Sequence, residues 1–193
     1  MSSPRAPLIM LIRHAEKPDK PPPHGVTKHG DHDAESLTVE GWQRAGALAC
    51  FFAPTHGPLQ SPLLATPEVL YAAAPGKRSG SEGSQSERPL QTITPLAKKL
   101  GRTIRTDFTR GEETKLADAA MAEIGTVLVC WQHQDIHLIA NRILGNDTTA
   151  PQEWPGDRFD LVWVFDLQAD GGYTFVQVPQ MLLKGDVPDP ISG

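Results

Sequence analysis

The stretch Leu8-Ile9-Met10-Leu11-Ile12-Arg13-His14 determines the architecture that we expect for this chain of 193 residues. Five consecutive apolar residues are typical of a strand that is buried on both faces of a sheet. The run stops at Arg13 and His14, which place two polar side chains at the carboxyl end of that strand. A second buried strand, Thr126 to Trp131, leads in the same way into His133. Ligands of open α/β sheets bind at the carboxyl ends of the strands, so we expect both histidines in one crevice.

Strands and helices alternate along the rest of the chain. Beyond the two buried strands we expect short strands at 68–72 and 103–108, helices at 112–124 and after His133, and a terminal hairpin of 159–167 with 173–178. This alternation predicts an α/β fold, a three-layer sandwich in which helices flank a mostly parallel, mixed central sheet. The pattern contains no repeat and no linker, so residues 1–193 are interpreted as a single domain.

Two more helices are expected in the first half of the chain. The first begins after Thr38, whose hydroxyl group can cap it. The second is predicted to begin at Ser86, with a proline in its first turn, and to end at Gly101. Pro95 should kink or shorten this second helix. Between the two helices, the stretch 75–86 is rich in Gly and Ser, which predicts a mobile surface loop beside the expected site.

Composition argues against several classes of protein. The net charge is −5 and no Lys/Arg run can grip a phosphate backbone, so nucleic acid is not an expected partner. No apolar stretch approaches the ~20 residues that cross a bilayer, and the run from Leu8 is too short for a signal peptide. We therefore expect no membrane association and a cytoplasmic location. Cys50 and Cys130 lie in apolar contexts, which favours reduced core thiols over a disulfide.

Charged groups near the strand ends indicate an anion site. A guanidinium such as that of Arg13 beside a buried strand end needs an anionic partner, and its planar fork fits phosphate oxygens. Arg88, at the start of the second helix, can supply another fork. The helix after His133 adds free backbone N–H groups and a positive dipole end. Two histidines and two arginines around an anion make a coherent phosphoryl site, in which a histidine attacks phosphorus.

Taken singly, these residues are more often structural than catalytic, but they occur within four motifs in a recognisable order. Leu11-Ile12-Arg13-His14-Ala15-Glu16 resembles the Arg-His-Gly/Ala-Glu signature of the histidine phosphatase superfamily, the phosphoglycerate-mutase-like proteins. Leu37-Thr38-Val39-Glu40-Gly41-Trp42-Gln43-Arg44-Ala45 is similar to the start of that family's first helix. Ser86-Glu87-Arg88-Pro89-Leu90-Gln91-Thr92 is similar to its Ser-x-Arg-x-x-Gln-Thr segment, and Val127 to His133 to its late strand.

The resemblance implies a mechanism. His14 would be the nucleophile and would form a phosphohistidine that water then hydrolyses. Arg13, Arg88 and His133 would bind the transferring group and stabilise its charge in the transition state. Arginines and imidazoles supply the positive charge, so neither a metal nor a cofactor is expected. The predicted function is a metal-independent phosphatase, a phosphoric monoester hydrolase, that acts on a small phosphorylated substrate or a phosphoprotein, including phosphohistidine.

The general acid that protonates the leaving group is less well defined. In the branch of the family with compact members, the acid is a glutamate between the second arginine and the second histidine. Glu113 is the favoured candidate and Glu112 the next, although each can be an ordinary first-turn glutamate that interacts with a helix dipole. In another branch the acid is an aspartate directly after the second histidine. Gln134 holds that place here, and Asp135, one residue later, is expected to cap its helix.

Two further positions have open roles. Glu16 can orient a catalytic histidine or bind the substrate, or it can pair with Lys17 or Arg44. Arg78 competes with Arg88 for the place of the second arginine, but only Arg88 is followed by the Gln-Thr pair of the motif.

Three alternatives compete with the phosphatase. A phosphoglycerate mutase-type transferase shares the motifs, but the loop after His14 offers only Lys20 and Lys28 as additional basic groups. A non-catalytic phosphate-binding module has the same fold, although the presence of all four phosphoryl-site residues argues against it. A metal protein is the third alternative, since possible ligands cluster in one loop at a spacing that fits no common site: His24, His29, Asp31, His32 and Asp33.

Overall fold

One mixed sheet forms the centre of the fold in this computed structural model, which describes residues 8–20, 22–77 and 79–192. The strands are β1 (Leu8–Arg13), β2 (Val69–Ala72), β3 (Ile104–Arg105), β4 (Thr126–Trp131), β5 (Leu161–Leu167) and β6 (Tyr173–Pro179). The helices are α1 (Val39–Phe52), α2 (Arg88–Leu100), α3 (Glu113–Met121) and α4 (Ile136–Leu144). None of the helices in these ranges combines the length and the apolar character that crossing a membrane requires. Arg78, the competing second arginine, lies outside the described residues.

The strands follow the order β3-β2-β4-β1-β5-β6 across the sheet. β1 pairs in parallel with β4, as do β2 with β4 and β2 with β3. β5 runs antiparallel to β1, and β6 runs antiparallel to β5. The sheet is therefore mixed and mostly parallel, with the predicted terminal hairpin at its antiparallel end, and both predictions are confirmed.

Alternate residues of β1 face two different hydrophobic layers. Leu8, Met10 and Ile12 pack against α1 and α2, whereas Ile9 and Leu11 pack against α3 and α4. The helices complete the two layers with Leu48, Phe52, Ile93 and Leu96 on one side and Leu116, Ala120, Ile136 and Ile139 on the other. Every residue of β1 and β4 is buried. Helices cover both faces of the sheet, which confirms the three-layer α/β sandwich.

Parallel pairing of the two central strands brings their polar ends together. Arg13 lies opposite Trp131 in the register of β1 and β4. The ladder extends one residue further, because the backbone amide of His14 donates to the carbonyl of Trp131 at 3.0 Å. His14 and the segment that leads to His133 therefore leave the sheet side by side, at the edge where the sequence predicts the site.

The start of α1 packs against the segment that follows β1. Thr38 caps the helix as predicted, since its hydroxyl oxygen accepts from the amide of Gly41 at 3.1 Å. The amide of Thr38 donates to the carbonyl of Glu16 at 3.0 Å. A Cβ atom on Gly41 would lie 2.4 Å from that same carbonyl oxygen, so the helix and the segment approach this closely only because residue 41 is glycine.

α2 has nearly the predicted bounds. It begins at Arg88 rather than at Ser86, whose hydroxyl oxygen accepts from the amide of Arg88 at 3.4 Å. It ends at Gly101 as predicted, with a left-handed φ of 62°. The prediction that Pro95 shortens the helix is wrong, because α2 continues to Leu100. Buried residues on both sides of the proline hold the helix against the sheet and compensate for one missing hydrogen bond.

Several smaller expectations are also corrected. The strand expected at 103–108 is reduced to Ile104–Arg105, because only these residues pair with β2. The helix expected at 112–124 ends at Met121, since the chain must turn at Gly125 to enter β4. Cys130 is buried as predicted, but Cys50 lies on the exposed side of α1, and both thiols are free.

The Gly/Ser-rich segment between β2 and α2 is attached to the rest of the fold. The amide of Ser84 donates to the carbonyl of Gly76 at 3.0 Å, and the amide of Gly83 donates to the carbonyl of Arg110 at 2.9 Å. The hydroxyl group of Thr109 donates to the carbonyl of Gly76 at 2.9 Å. The turn before α3 thus supplies hydrogen-bond partners that are remote in sequence, and the mobility of the segment stays a prediction.

Substituting Gly41 with alanine should destabilise the fold by roughly 1–3 kcal/mol, because the added methyl group would displace the carbonyl of Glu16. Gly46 in the same helix provides the matched control, since a Cβ atom there meets nothing within 4 Å. Gly46→Ala should leave stability unchanged or raise it by about 0.5–1 kcal/mol. Urea unfolding of the wild type and both variants measures the changes, and equal stability of the two variants would contradict the close contact.

Candidate active site

Two histidines meet at the carboxyl edge of β1 and β4. The ring centroids of His14 and His133 lie 6.3 Å apart, with their planes at 84°. Arg13 directly precedes the first histidine, and Arg88 at the start of α2 is close enough for its charge to act on His14. The structure thus brings together the four residues that the sequence places around a phosphoryl group.

His14 is held in one orientation and one protonation state. The ring is buried, and its Nδ1 atom lies 2.8 Å from the carbonyl oxygen of Ala15. A carbonyl oxygen can only accept, so Nδ1 carries the proton and Nε2 keeps a free lone pair. Burial, followed by the charge of Arg13, holds the pKa of His14 well below its usual range. The imidazole is therefore neutral, with a nitrogen available to attack.

The segment after His14 is anchored by α2. The amide of Ala15 donates to the hydroxyl oxygen of Thr92 at 2.9 Å, and that hydroxyl group donates to the carbonyl of Arg88 at 2.8 Å. Gln91 binds the neighbouring segment, since its amide oxygen accepts from the amide of Leu37 at 2.9 Å. Gln91 and Thr92, the Gln-Thr pair of the third motif, therefore anchor the backbone next to the predicted catalytic residues.

Arg13 is a buried cation with part of its hydrogen-bonding capacity unused. Its Nη1 atom donates to the carbonyls of Pro155 and Arg158 at 3.0 and 2.9 Å. Its Nε and Nη2 atoms are buried and have no hydrogen-bond partner in the described part of the chain. Burial lowers the pKa of Arg13 to about 9, so the guanidinium remains charged at neutral pH. Buried donors of this kind are suited to a bound anion.

Lys17 belongs to the same cluster of cations, and the sequence interpretation missed this role. His133 is half-buried, and burial, together with the charges of Arg13 and Lys17, lowers its pKa to about 4. The pKa of Lys17 is lowered in turn by burial and by the charges of Arg13 and Arg88. A lysine three residues after a predicted catalytic histidine is the signal that was available. The Nδ1 atom of His133 is also buried without a partner among the described residues.

Arg88 is oriented by the loop that precedes α1. Its Nε atom donates to the carbonyl of Ser36 at 3.3 Å, its Nη1 atom donates to the hydroxyl oxygen of Ser86 at 3.1 Å, and its Nη2 atom donates to the carbonyl of Ala34. The carboxylate of Glu35 lies 3.6 Å away. Most of the guanidinium is thus bound by protein groups, so its contribution to the histidine crevice is mainly its positive charge.

The two candidate acids make contacts typical of anchoring carboxylates. The Oε1 atom of Glu113 accepts from the amide of Gly111 and from the indole N–H of Trp131, both at 3.0 Å. This places Glu113, which is buried, against the strand that leads to His133. The Oε2 atom of Glu112 accepts from the amide of Thr109 at 3.1 Å. Its contact with the strand that leads to His133 keeps Glu113 the favoured candidate acid.

The expectation that Asp135 caps α4 is wrong. Asp135 occupies the N-cap position but makes no side-chain capping bond. Its carboxylate instead accepts from the Nε atom of Arg110 at 2.7 Å, because the turn before α3 brings that guanidinium next to α4. The ion pair connects the segment after His133 to the turn that carries Glu113.

Glu16 joins a buried network of side chains. Its carboxylate binds Arg44 at 2.7 Å, and Arg44 also binds Asp186 at 2.7 Å and the side chain of Gln180 at 3.0 Å. Of the two partners that the sequence allows, Arg44 is the one that Glu16 binds, and substrate binding by Glu16 stays a prediction. This buried network joins the segment after β1 to α1 and to the C-terminal segment.

The histidine-rich loop before α1 forms no metal cluster in the part of the chain that is described. No group of three or more potential ligand side chains converges there or elsewhere within those ranges. His24 and His32 instead stack with ring centroids 4.5 Å apart and planes at 20°.

The fold and the site define a class of three-layer α/β proteins with two histidines and two arginines at the carboxyl edge of a mixed sheet. No family model and no curated protein matches the sequence. Solved structures do match. Phosphoserine phosphatase from Entamoeba histolytica, in complex with 3-phosphoglyceric acid, is 14% identical with a TM-score of 0.55, over 92% of this chain and 100% of that one.

Two further structures have the same fold. Phosphoglycerate mutase from Plasmodium falciparum is 12% identical with a TM-score of 0.51, over 96% of this chain and 98% of that one. The protein histidine phosphatase SixA, complexed with tungstate, is 13% identical with a TM-score of 0.50, over 90% and 97%. The chain therefore has the phosphoglycerate-mutase-like fold, which confirms the fold that the sequence motifs imply.

In an NMR titration, both histidines should remain neutral until the pH falls well below their ordinary pKa of about 6.5, with His133 titrating near 4. Between about pH 6.5 and pH 4, the folded state binds fewer protons than the unfolded chain. The free energy of unfolding should therefore fall as the pH drops through this range. Saturating inorganic phosphate should raise both pKa values, because the anion supplies counter-charge. Unchanged titration midpoints with phosphate bound would contradict an anion site between the rings.

Proposed function

We propose that this protein is a metal-independent phosphatase that hydrolyses a phosphomonoester or a phosphohistidine through a phosphohistidine intermediate on His14. The substrate is a small phosphorylated molecule or a phosphoprotein. One observation carries the proposal: His14 keeps Nε2 free beside buried nitrogen atoms of Arg13 and His133 that have no partner among the described residues. A candidate nucleophile thus lies next to buried nitrogen atoms that an anion could bind.

A phosphoryl group completes this arrangement chemically. Its oxygens can accept from Nε and Nη2 of Arg13 side by side, as a guanidinium fork binds a phosphate. His133 supplies a further polar nitrogen, and the charges of Lys17 and Arg88 add to the positive potential. Arg13 and His14 are almost fully buried, so these charges act on them with less screening than at the surface.

The reaction proceeds in two displacements. Nε2 of His14 forms a bond to phosphorus while the bond from phosphorus to the leaving group breaks, and the leaving group takes up a proton from the proposed acid, Glu113. Water then attacks phosphorus of the phosphohistidine and gives a proton back to Glu113, the N–P bond breaks, and inorganic phosphate is released. The lowered pKa of His14 keeps its lone pair available, and the surrounding cations stabilise charge on the phosphoryl oxygens in both steps.

The structural neighbours support phosphoryl chemistry and leave the substrate open. Their names include a phosphoserine phosphatase, a protein histidine phosphatase and a phosphoglycerate mutase. A mutase returns the phosphoryl group to a phosphorylated acid, whereas a phosphatase gives it to water. Release of inorganic phosphate in the absence of any acceptor therefore distinguishes the proposed activity from the mutase alternative.

The wild type should release phosphate from p-nitrophenyl phosphate in excess chelator, and His14→Asn should lower kcat by roughly 10³-fold or more, as expected when a nucleophile is removed. Asparagine retains an N–H donor for the Ala15 carbonyl, so the variant should stay folded. His56→Asn, at an exposed residue after α1, is the matched control and should have wild-type activity. Turnover lost on chelation, or kept in His14→Asn, would refute the mechanism.

Glu113→Gln tests the general acid. Glutamine keeps an oxygen that can accept from Gly111 and Trp131 but has no proton to transfer. We expect kcat to fall by about 10²-fold for an alkyl phosphate, whose leaving group needs a proton, and to change little for p-nitrophenyl phosphate. Glu112→Gln is the matched control and should affect neither substrate. Equal losses on both substrates would assign Glu113 an anchoring role instead.

A further inference from the structure

The connection between α4 and β5 holds the guanidinium of Arg13 along one edge and over one face. Its Nη1 atom donates to the carbonyls of Pro155 and Arg158 at 3.0 and 2.9 Å. The ring of Phe159 covers the guanidinium plane, with its centroid 3.8 Å from the Cζ atom of Arg13. The indole N–H of Trp154 donates to the same carbonyl of Arg158 at 2.8 Å, which ties this connection to the buried layer beneath it.

These contacts determine where the remaining N–H groups of Arg13 point. A guanidinium is planar, so fixing one edge and one face fixes the direction of Nε and Nη2, the two nitrogens that are buried without partners in the described ranges. The ring of Phe159 also lies 6.3 Å from the ring of His14, with a tilt of 50° between their planes. Phe159 therefore adjoins both the proposed phosphoryl-binding group and the proposed nucleophile.

We propose that Phe159 is a positioning residue of the phosphoryl site, which holds the plane of Arg13 so that Nε and Nη2 receive phosphoryl oxygens beside His14. The inference rests on the proposed function and adds a residue from outside the four motifs. The carbonyls of Pro155 and Arg158 bind only Nη1, so these two hydrogen bonds alone would let the guanidinium plane rotate about that atom. The aromatic face prevents that motion, and it attracts the cation through its quadrupole while excluding water from one side.

Three variants test this role through binding of inorganic phosphate and turnover of p-nitrophenyl phosphate. Phe159→Leu should lower phosphate affinity and kcat/KM by roughly 3- to 30-fold, the range of a partly desolvated cation–aromatic contact. Phe159→Tyr keeps the ring face and should stay within about twofold of the wild type. Phe175→Leu is the matched control, because Phe175 is a partly buried ring on β6 that packs 5.4 Å from Trp163, two strands away from β1. It should not affect phosphate binding.

Arg13→Lys separates positioning from general packing, because lysine has no planar fork to orient. In that background Phe159→Leu should change phosphate affinity by less than about twofold. Wild-type affinity in Phe159→Leu, or the same loss in both backgrounds, would overturn the positioning role and leave the phosphatase proposal intact. A wild type that neither binds phosphate nor releases it from the ester would overturn the proposed function, and the positioning role with it.

Discussion

Parallel pairing of β1 with β4 is the interaction on which the site depends. It sets Arg13 opposite Trp131 and lets the amide of His14 extend the ladder to the carbonyl of Trp131, so the backbone of the proposed nucleophile is part of the sheet. A slip of one residue would turn Arg13 to the other face, into the hydrophobic layer of α1 and α2. Burial of β1 on both faces therefore maintains the register of the site as well as the stability of the fold.

Most motif residues around this pairing anchor the backbone rather than take part in chemistry. Thr92 holds the amide of Ala15, and Thr38 holds the carbonyl of Glu16. The missing side chain of Gly41 lets α1 approach that carbonyl. Three contacts from two helices thus immobilise the short segment after His14. Preorganisation of this kind lets a nucleophile keep its orientation without reorganisation when the substrate binds.

The parts of the structure that could be predicted are those determined by local pattern. Arg13 is the last residue of one buried strand, and His14 and His133 follow buried strands. The strand ends of a parallel sheet meet at one edge, so the proximity of these residues follows from the sequence. The contact of the Phe159 ring with the guanidinium of Arg13 could not be predicted from the sequence. It depends on how the irregular connection between α4 and β5 folds back across the sheet. The partner of Glu16 was ambiguous for the same reason, since it was decided by the approach of α1.

Two buried arginines in this fold show how the same side chain acquires different roles. Arg44 is almost fully buried and is surrounded by Glu16, Gln180 and Asp186, whose hydrogen bonds and charges raise its pKa despite the burial. Arg13 is buried as deeply, but no carboxylate of the described residues forms an ion pair with it, and burial lowers its pKa. Buried donors without hydrogen-bond partners cost free energy. In the function that we propose, a phosphoryl group would supply to Arg13 the acceptors that two carboxylates supply to Arg44, and part of this free-energy cost would be recovered as affinity for the anion.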